Sequence, residues 1–245
     1  MPARPTPAIH SLATSATRVL VEGADLVLPR TCGGCGQPGV DWCTGCATRV
    51  ADAPIELRPT EASGVSAWAV GRYRGPLRQA IIAMKEHGRR DLHDPLGIAL
   101  AQALITLAGW GELPDAARLH LIPGPTRALA ARRRGGDPVT AFAEVAATRL
   151  GPAVRVRPLL VTAMSTRDSA GLDARDRRTN LRGSIRIRAG PASAAGTADA
   201  HGAAPGSAAI LVDDVLTTGA TAAESVRVCH AYGVEIGAVV VLAGA

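Results

Sequence analysis

Two carboxylates stand side by side at Asp213-Asp214, directly after the apolar run Ala208-Ala-Ile-Leu-Val212. Shortly after them, Thr217-Thr-Gly-Ala-Thr221 leads into an Ala-rich stretch that the pattern predicts to be helical. Adjacent carboxylates can accept hydrogen bonds from two hydroxyls of a ribose. A helix start that offers Thr hydroxyls and approachable backbone N–H groups suits a phosphate monoester, because the helix dipole adds positive potential there. Gly219 lets the backbone turn without a Cβ in the way. The segment is therefore suited to a sugar phosphate, with Asp213 and Asp214 on the ribose and Thr217, Thr218, Gly219, Ala220 and Thr221 around the 5-phosphate. A plain strand-end turn with Thr221 as an ordinary N-cap would use the same residues without a ligand.

A second constellation is Cys32-x-x-Cys35 and Cys43-x-x-Cys46, two close pairs separated by seven residues. Each pair can form a knuckle giving two thiolates, and together they complete tetrahedral zinc. Four thiolates close the coordination shell, so such a zinc is structural. Cys229 falls on a predicted helix and reads as a core residue.

Arginines supply the third. Arg127, Arg132, Arg133 and Arg134 follow a predicted strand end, where several guanidinium groups could hold pyrophosphate through charge-assisted, often bidentate hydrogen bonds. Arg132, Arg133 and Arg134 are thus candidate anion-binding groups, and Arg177 lies in a second charged stretch. Arg167, Arg175 and Asn180 share the charged stretch that holds Arg177. Lys85, near Arg89 and Arg90, reads as part of a basic helix face. The six histidines form no ligand spacing, and there is no Walker A loop or dinucleotide glycine fingerprint.

These residues need a frame. Strands are predicted over 68–73, 118–122, 154–161, 184–188, 208–212 and 235–242. Helices are predicted from Gly75-Pro76 onward and over 95–108, 138–150 and 220–232. Strands alternating with helices argue for an α/β fold with a parallel sheet covered on both faces. Residues 1–28 read as a tail and an amphipathic helix (11–28), 29–50 as the four-Cys module, 51–63 as a linker and 64–245 as the main domain. Residues 189–207 are low-complexity and read as a flexible insertion.

The 245 residues suit one α/β domain plus a small module. The formal charge is +6, almost all of the positive charge is Arg, and the only Lys is Lys85. Charge alone would admit a nucleic-acid partner. Six aromatic residues (three Trp, two Tyr, one Phe) are too few for a base-stacking surface. No stretch is read as a membrane span or signal peptide, so the expected location is cytoplasmic, where thiols stay reduced and clustered cysteines bind metal.

The block Ile210–Thr221 closely resembles the signature with which type I phosphoribosyltransferases bind 5-phosphoribosyl 1-pyrophosphate (PRPP). The four-Cys module, Arg72-Tyr-Arg-Gly-Pro-Leu-Arg78 followed by Lys85-Glu-His-Gly88, Leu121-Ile-Pro-Gly-Pro125 and Arg175-Asp-Arg-Arg-Thr-Asn-Leu-Arg-Gly183 extend the likeness. Together they resemble the ComF/GntX family of phosphoribosyltransferase-like proteins over nearly all of residues 26–243. The resemblance implies a type I phosphoribosyltransferase-like sheet with an N-terminal zinc module, PRPP bound with magnesium, and a mobile loop around 166–180. The implied reaction is phosphoribosyl transfer to a nitrogen acceptor that the sequence does not identify, with Arg132, Arg133, Arg134 and Arg177 as the implied catalytic groups that stabilise the departing pyrophosphate. A second reading, from members linked to DNA uptake and competence, is a non-catalytic PRPP or nucleotide sensor acting with the uptake machinery. Two departures stand out: Pro123-Gly124-Pro125 where the family has Pro-Val-Pro, and Arg134-Gly-Gly-Asp-Pro138 where it has Arg-Gly-Phe-Asn-Gln. The missing Phe, Asn and Gln fall on the acceptor side of the expected pocket.

Overall fold

A computed structural model describes residues 30–125, 136–162, 183–188 and 206–245. The predicted helix over 11–28, Arg127, Arg132, Arg133, Arg134, Arg167, Arg175, Arg177, Asn180 and most of the 189–207 insertion lie outside the described residues.

Elements follow in the order α1 (Thr44–Val50), β1 (Ile55–Leu57), β2 (Ser66–Arg72), α2 (Gly75–Glu86), a 3-10 turn (Arg90–Leu92), α3 (His93–Gly109), β3 (Arg118–Pro123) and α4 (Pro138–Leu150). Then come β4 (Val154–Val156), β5 (Leu160–Thr162), β6 (Ile185–Ile187), β7 (Ser207–Leu216), α5 (Ala220–Ala231) and β8 (Ile236–Gly244). Six strands form one sheet in the order β1-β2-β8-β7-β3-β4, and every pair is parallel except β1 with β2. This is the α/β architecture expected from the alternation of elements.

The central strands read as continuous apolar runs because both faces are covered. Ile210, Val212, Val240 and Leu242 share one core with Leu96, Leu100 and Leu104 of α3 and Phe142 of α4. Leu211, Val239 and Val241 point the other way, into a core with Val226 and Cys229 of α5 and Leu160 and Ile185 of the β5–β6 hairpin. Cys229 is thus the core residue expected, and burial pushes its thiol up to about 11. The segment Arg90–Gly109 has the length and apolar content to cross a membrane, which the sequence reading did not register. Much of it belongs to the core, with Leu92, Leu96, Leu100 and Leu107 fully buried.

Three local expectations change. The single strand expected over 154–161 is two: β4 pairs with β3, whereas β5 pairs antiparallel with β6 in a separate sheet. Pro158 lies between them and has no N–H for a ladder. The stretch 51–63 is more than a linker, since its β1 forms the antiparallel edge of the main sheet. Strand β7 begins at Ser207 and runs through the carboxylate pair to Leu216, longer than the expected 208–212.

Candidate functional site

Strand β3 connects onward through α4 to β4 on one side, and β7 through α5 to β8 on the other. Between these two neighbours lies the switch point at which open α/β sheets bind ligands, beyond the carboxyl ends of the strands. The β3–β7 ladder ends at Pro123 opposite Val212, and the Gly124 N–H donates to the Val212 carbonyl at 2.7 Å. Past that point β7 continues beside β8 alone, carrying Asp213 and Asp214 into the opening. The carboxylates therefore lie within an extended strand, not in a turn after it.

Alternation along the strand gives the two carboxylates different surroundings. Asp214 is almost buried and accepts from Lys85 Nζ through both oxygens, at 3.0 Å to Oδ1 and 2.9 Å to Oδ2. Lys85 comes from the last turn of α2, which starts where the Tyr73 N–H donates to the Gly244 carbonyl. The helix thus spans the carboxyl edge of the sheet from β8 to β7. Sequence reasoning took Lys85 for a surface cation; helical periodicity carries no sign of the distant strand end it faces.

Asp213 packs its carboxyl against Gly124. A Cβ on that glycine would lie 2.7 Å from both Asp213 Cγ and Oδ2. The space that the second residue of a Pro-Val-Pro segment would fill is taken here by an acidic side chain, so this departure and Asp213 fit each other. Burial, then the negative charge of Asp214, pushes the Asp213 carboxyl up to about 8. The Asp214 N–H, donating to Asp213 Oδ1 at 2.8 Å, and the Lys85 ammonium oppose the rise only in part. The Asp213 carboxyl therefore holds its proton to higher pH than an ordinary aspartic acid.

The loop after β7 leaves Thr217 and Thr218 exposed and leads into α5 through Gly219, the N-cap, at φ 89°. No side chain caps this helix from the N-cap position; the Ala220 N–H has Thr218 Oγ1 at 3.4 Å. Thr221 is inside the first turn and is not the N-cap. Gly219 is needed twice: for its left-handed backbone, and because a Cβ there would lie 2.4 Å from the Glu61 carbonyl oxygen and 2.7 Å from Pro59 Cβ. The Glu61 N–H donates to the Thr218 carbonyl at 2.8 Å. Residues 59–61 therefore brace one side of the loop, a contact with no sequence signal. Gly219→Ala should destabilise the protein by about 2 kcal/mol or more, since left-handed backbone alone costs an L-residue roughly 1–2 kcal/mol. Thermal unfolding should fall by roughly 4–8 °C; an unchanged midpoint would mean that 59–61 does not rest on the loop.

Two cavities lie nearby. One of about 120 Å³ is bounded by Met84, Arg90 and His93 on one side and Asp137 and Pro138 on the other. Asp137 caps α4, accepting from the Val139 N–H at 3.2 Å and the Thr140 hydroxyl at 2.6 Å. Burial, helped by the Arg90 charge, lowers the His93 pKa and favours its neutral imidazole. A larger cavity, about 1020 Å³, lies between residues 61–65 and α5 and includes neither carboxylate. The chain ending the 163–182 stretch is fixed beside α5, where the Gly183 N–H donates to Glu224 Oε1 at 2.8 Å.

Beside the start of α2 and Leu92 the four cysteines come together, Gly34 close to Pro76 and Gly33 on Leu92. The Sγ atoms of Cys32, Cys35, Cys43 and Cys46 all lie within 4.8 Å of one another, and no disulfide joins them. Zinc–thiolate bonds of ~2.3 Å set tetrahedral sulfur–sulfur separations of ~3.8 Å, so the cluster fits such an ion. Cys35 and Cys43 are 3.6 Å apart. Burial alone would raise the Cys32 thiol, but the N–H groups of Cys43, Cys35 and Gly34 and the Cys46 thiol together bring it down to about 6. Cys43 caps the short α1, which places Cys46 in the first turn; no helix is expected there from the sequence. Among the described residues no other set of three or more Cys, His, Asp or Glu side chains groups closely enough to hold a metal ion.

No protein-family profile matches this chain, and no curated protein sequence matches it. What is established is an α/β fold with a six-stranded, mostly parallel sheet, a carboxylate pair at its switch point and an N-terminal four-cysteine cluster able to hold a metal ion.

Proposed function

We propose that the chain is a phosphoribosyltransferase-like protein of the ComF/GntX type, which binds PRPP at the switch point and transfers its phosphoribosyl group to a nitrogen nucleophile. The observation that carries this reading is the placement of Asp213 and Asp214 beside the exposed Thr217-Thr218 loop and the N-terminal end of α5. The carboxylates meet ribose hydroxyls, and the Thr hydroxyls and first N–H groups of α5 meet the 5-phosphate. The C1–pyrophosphate bond breaks as the nitrogen adds, building positive charge on the ribose and negative charge on the leaving group. Arg132, Arg133, Arg134 and Arg177 are the groups proposed to meet that negative charge. Magnesium arrives with the substrate as its pyrophosphate complex. The four cysteines hold zinc, which supplies cohesion to the N-terminal module and no chemistry.

The test is titration calorimetry with PRPP and magnesium, followed by measurement of pyrophosphate release over a set of amines, ammonia and nucleobases. Binding together with acceptor-dependent release supports the transferase reading. Binding with no release under any acceptor favours the PRPP-sensing alternative. Absence of binding removes both.

A further inference from the structure

A site with two adjacent carboxylates is poorly matched to a ligand that carries a phosphate and a pyrophosphate, because like charges repel across a partly dry crevice. Something must offset the pair. The chain has 27 Lys and Arg residues but one lysine, and that lysine donates to both oxygens of Asp214 at 3.0 and 2.9 Å. In so arginine-rich a chain, an ordinary surface cation would be expected to be Arg. A compact ammonium is a point charge that fits between a helix and a strand end, where a planar guanidinium needs more room.

We propose that Lys85 is the positioning residue of the sugar-phosphate site: it orients the Asp214 carboxylate toward the ribose diol and supplies the counter-charge that lets a polyanionic phosphoribosyl ligand enter. The proposal rests on the PRPP reading above and extends it to a residue on another element. An ionised carboxylate offers about four lone-pair sites. Lys85 occupies one on each oxygen, which leaves one on each for the two hydroxyls of a diol. With the Lys85 ammonium on both oxygens of Asp214, that ion pair presents no net charge to the incoming phosphates. The Lys85 side chain is 35% exposed and Asp214 only 10%, so the solvent contact of the pair is mostly that of the lysine.

The test uses the full chain with Lys85→Met and Lys85→Arg. The charged groups that act on Asp213 are Asp214 on its own strand, Lys85 from α2 and Asp137 at the cap of α4. In the ligand-free protein, Lys85→Met should therefore move the Asp213 carboxyl titration, followed by carbon-detected NMR and assigned with Asp213→Asn, to higher pH. Lys85→Arg should leave it near the wild-type position. Affinity for the magnesium complex of PRPP should fall by about tenfold or more in Lys85→Met, the scale of a lost charge-assisted contact. Lys85→Arg should recover part of it. A titration unmoved by Lys85→Met overturns the proposal whether or not PRPP binds, and so does PRPP affinity unchanged in Lys85→Met. A moved titration in a wild-type protein that does not bind PRPP overturns the PRPP reading and the ligand-admitting role together, and leaves the ion pair as the result.

Discussion

Stripping metal from the four-cysteine cluster, or replacing Cys32 with Ser, should unfold the N-terminal module and lower the melting temperature of the whole protein while the sheet persists. The module has little to hold it otherwise. Its regular backbone pairing is one bridge, Thr31 with Pro38, and one seven-residue helix. A structural metal site of this kind contributes its binding free energy directly to folding. The effect reaches the main domain because the module is docked on it. Leu92 is fully buried, and a Cβ on Gly33 would lie 2.6 Å from Leu92 Cδ2, so module backbone rests directly on that side chain. Arg89 adds a bond of 2.9 Å to the Thr31 carbonyl and an ion pair of 3.9 Å to Asp41. Exposing one leucine costs roughly 1.5–3 kcal/mol, and in a chain of this size each kcal/mol moves the midpoint by about 2–4 °C. The expected drop is on the order of 3–12 °C, with most far-ultraviolet circular dichroism retained. Elemental analysis should give one zinc per chain. Protein purified without zinc or iron, or Cys32→Ser melting like wild type, would refute the assignment.

Patterns that repeat within a few residues were legible in the sequence. The apolar run before Asp213, the Cys-x-x-Cys pairs and the Gly75-Pro76 helix start are local signals, and each lies where expected. The helix over 138–150 came out residue for residue because Asp137 caps it and Gly151 ends it. What escaped was non-local. Nothing near Lys85 announces that its helix spans the sheet edge to Asp214, 129 residues away. Nothing near Pro59 or Glu61 announces that they brace Gly219. The 51–63 stretch looked like a linker because three strand residues, Ile55–Leu57, are too short for any periodicity, and only pairing with β2 makes them a strand. Nothing in the sequence accounts for glycine in Pro123-Gly124-Pro125; in three dimensions a Cβ there would collide with the Asp213 carboxyl.

The two carboxylates should not contribute equally to PRPP binding, although adjacent aspartates look interchangeable in the sequence. Asp214 is the acceptor whose two oxygens take the Lys85 ammonium. Asp213 keeps its proton up to about pH 8. Hydrogen bonds to a charged group are worth roughly 1.5–3 kcal/mol and neutral ones roughly 0.5–1.5. Asp214→Asn should therefore weaken PRPP affinity by about tenfold or more at pH 7, and Asp213→Asn by only a few-fold. Stability separates them in the opposite sense. The native Asp213 holds a proton that the unfolded chain releases near its ordinary value of 3.8. The favourable contribution of this group is thus fully present below that pH and is lost as pH rises through about 8. Asparagine stays neutral throughout and can still accept from the Asp214 N–H. Asp213→Asn should match wild type near pH 4 and exceed it increasingly toward pH 8, by at least about 1.4 kcal/mol, the value of one pKa unit. That is roughly 3–5 °C in melting temperature. Calorimetric affinities at pH 7 and thermal scans from pH 4 to about 9 measure both. Equal losses of affinity in the two variants, or a stability difference that does not change with pH, would mean that both aspartates are ionised in the native protein and that the neutral state assigned to Asp213 is wrong.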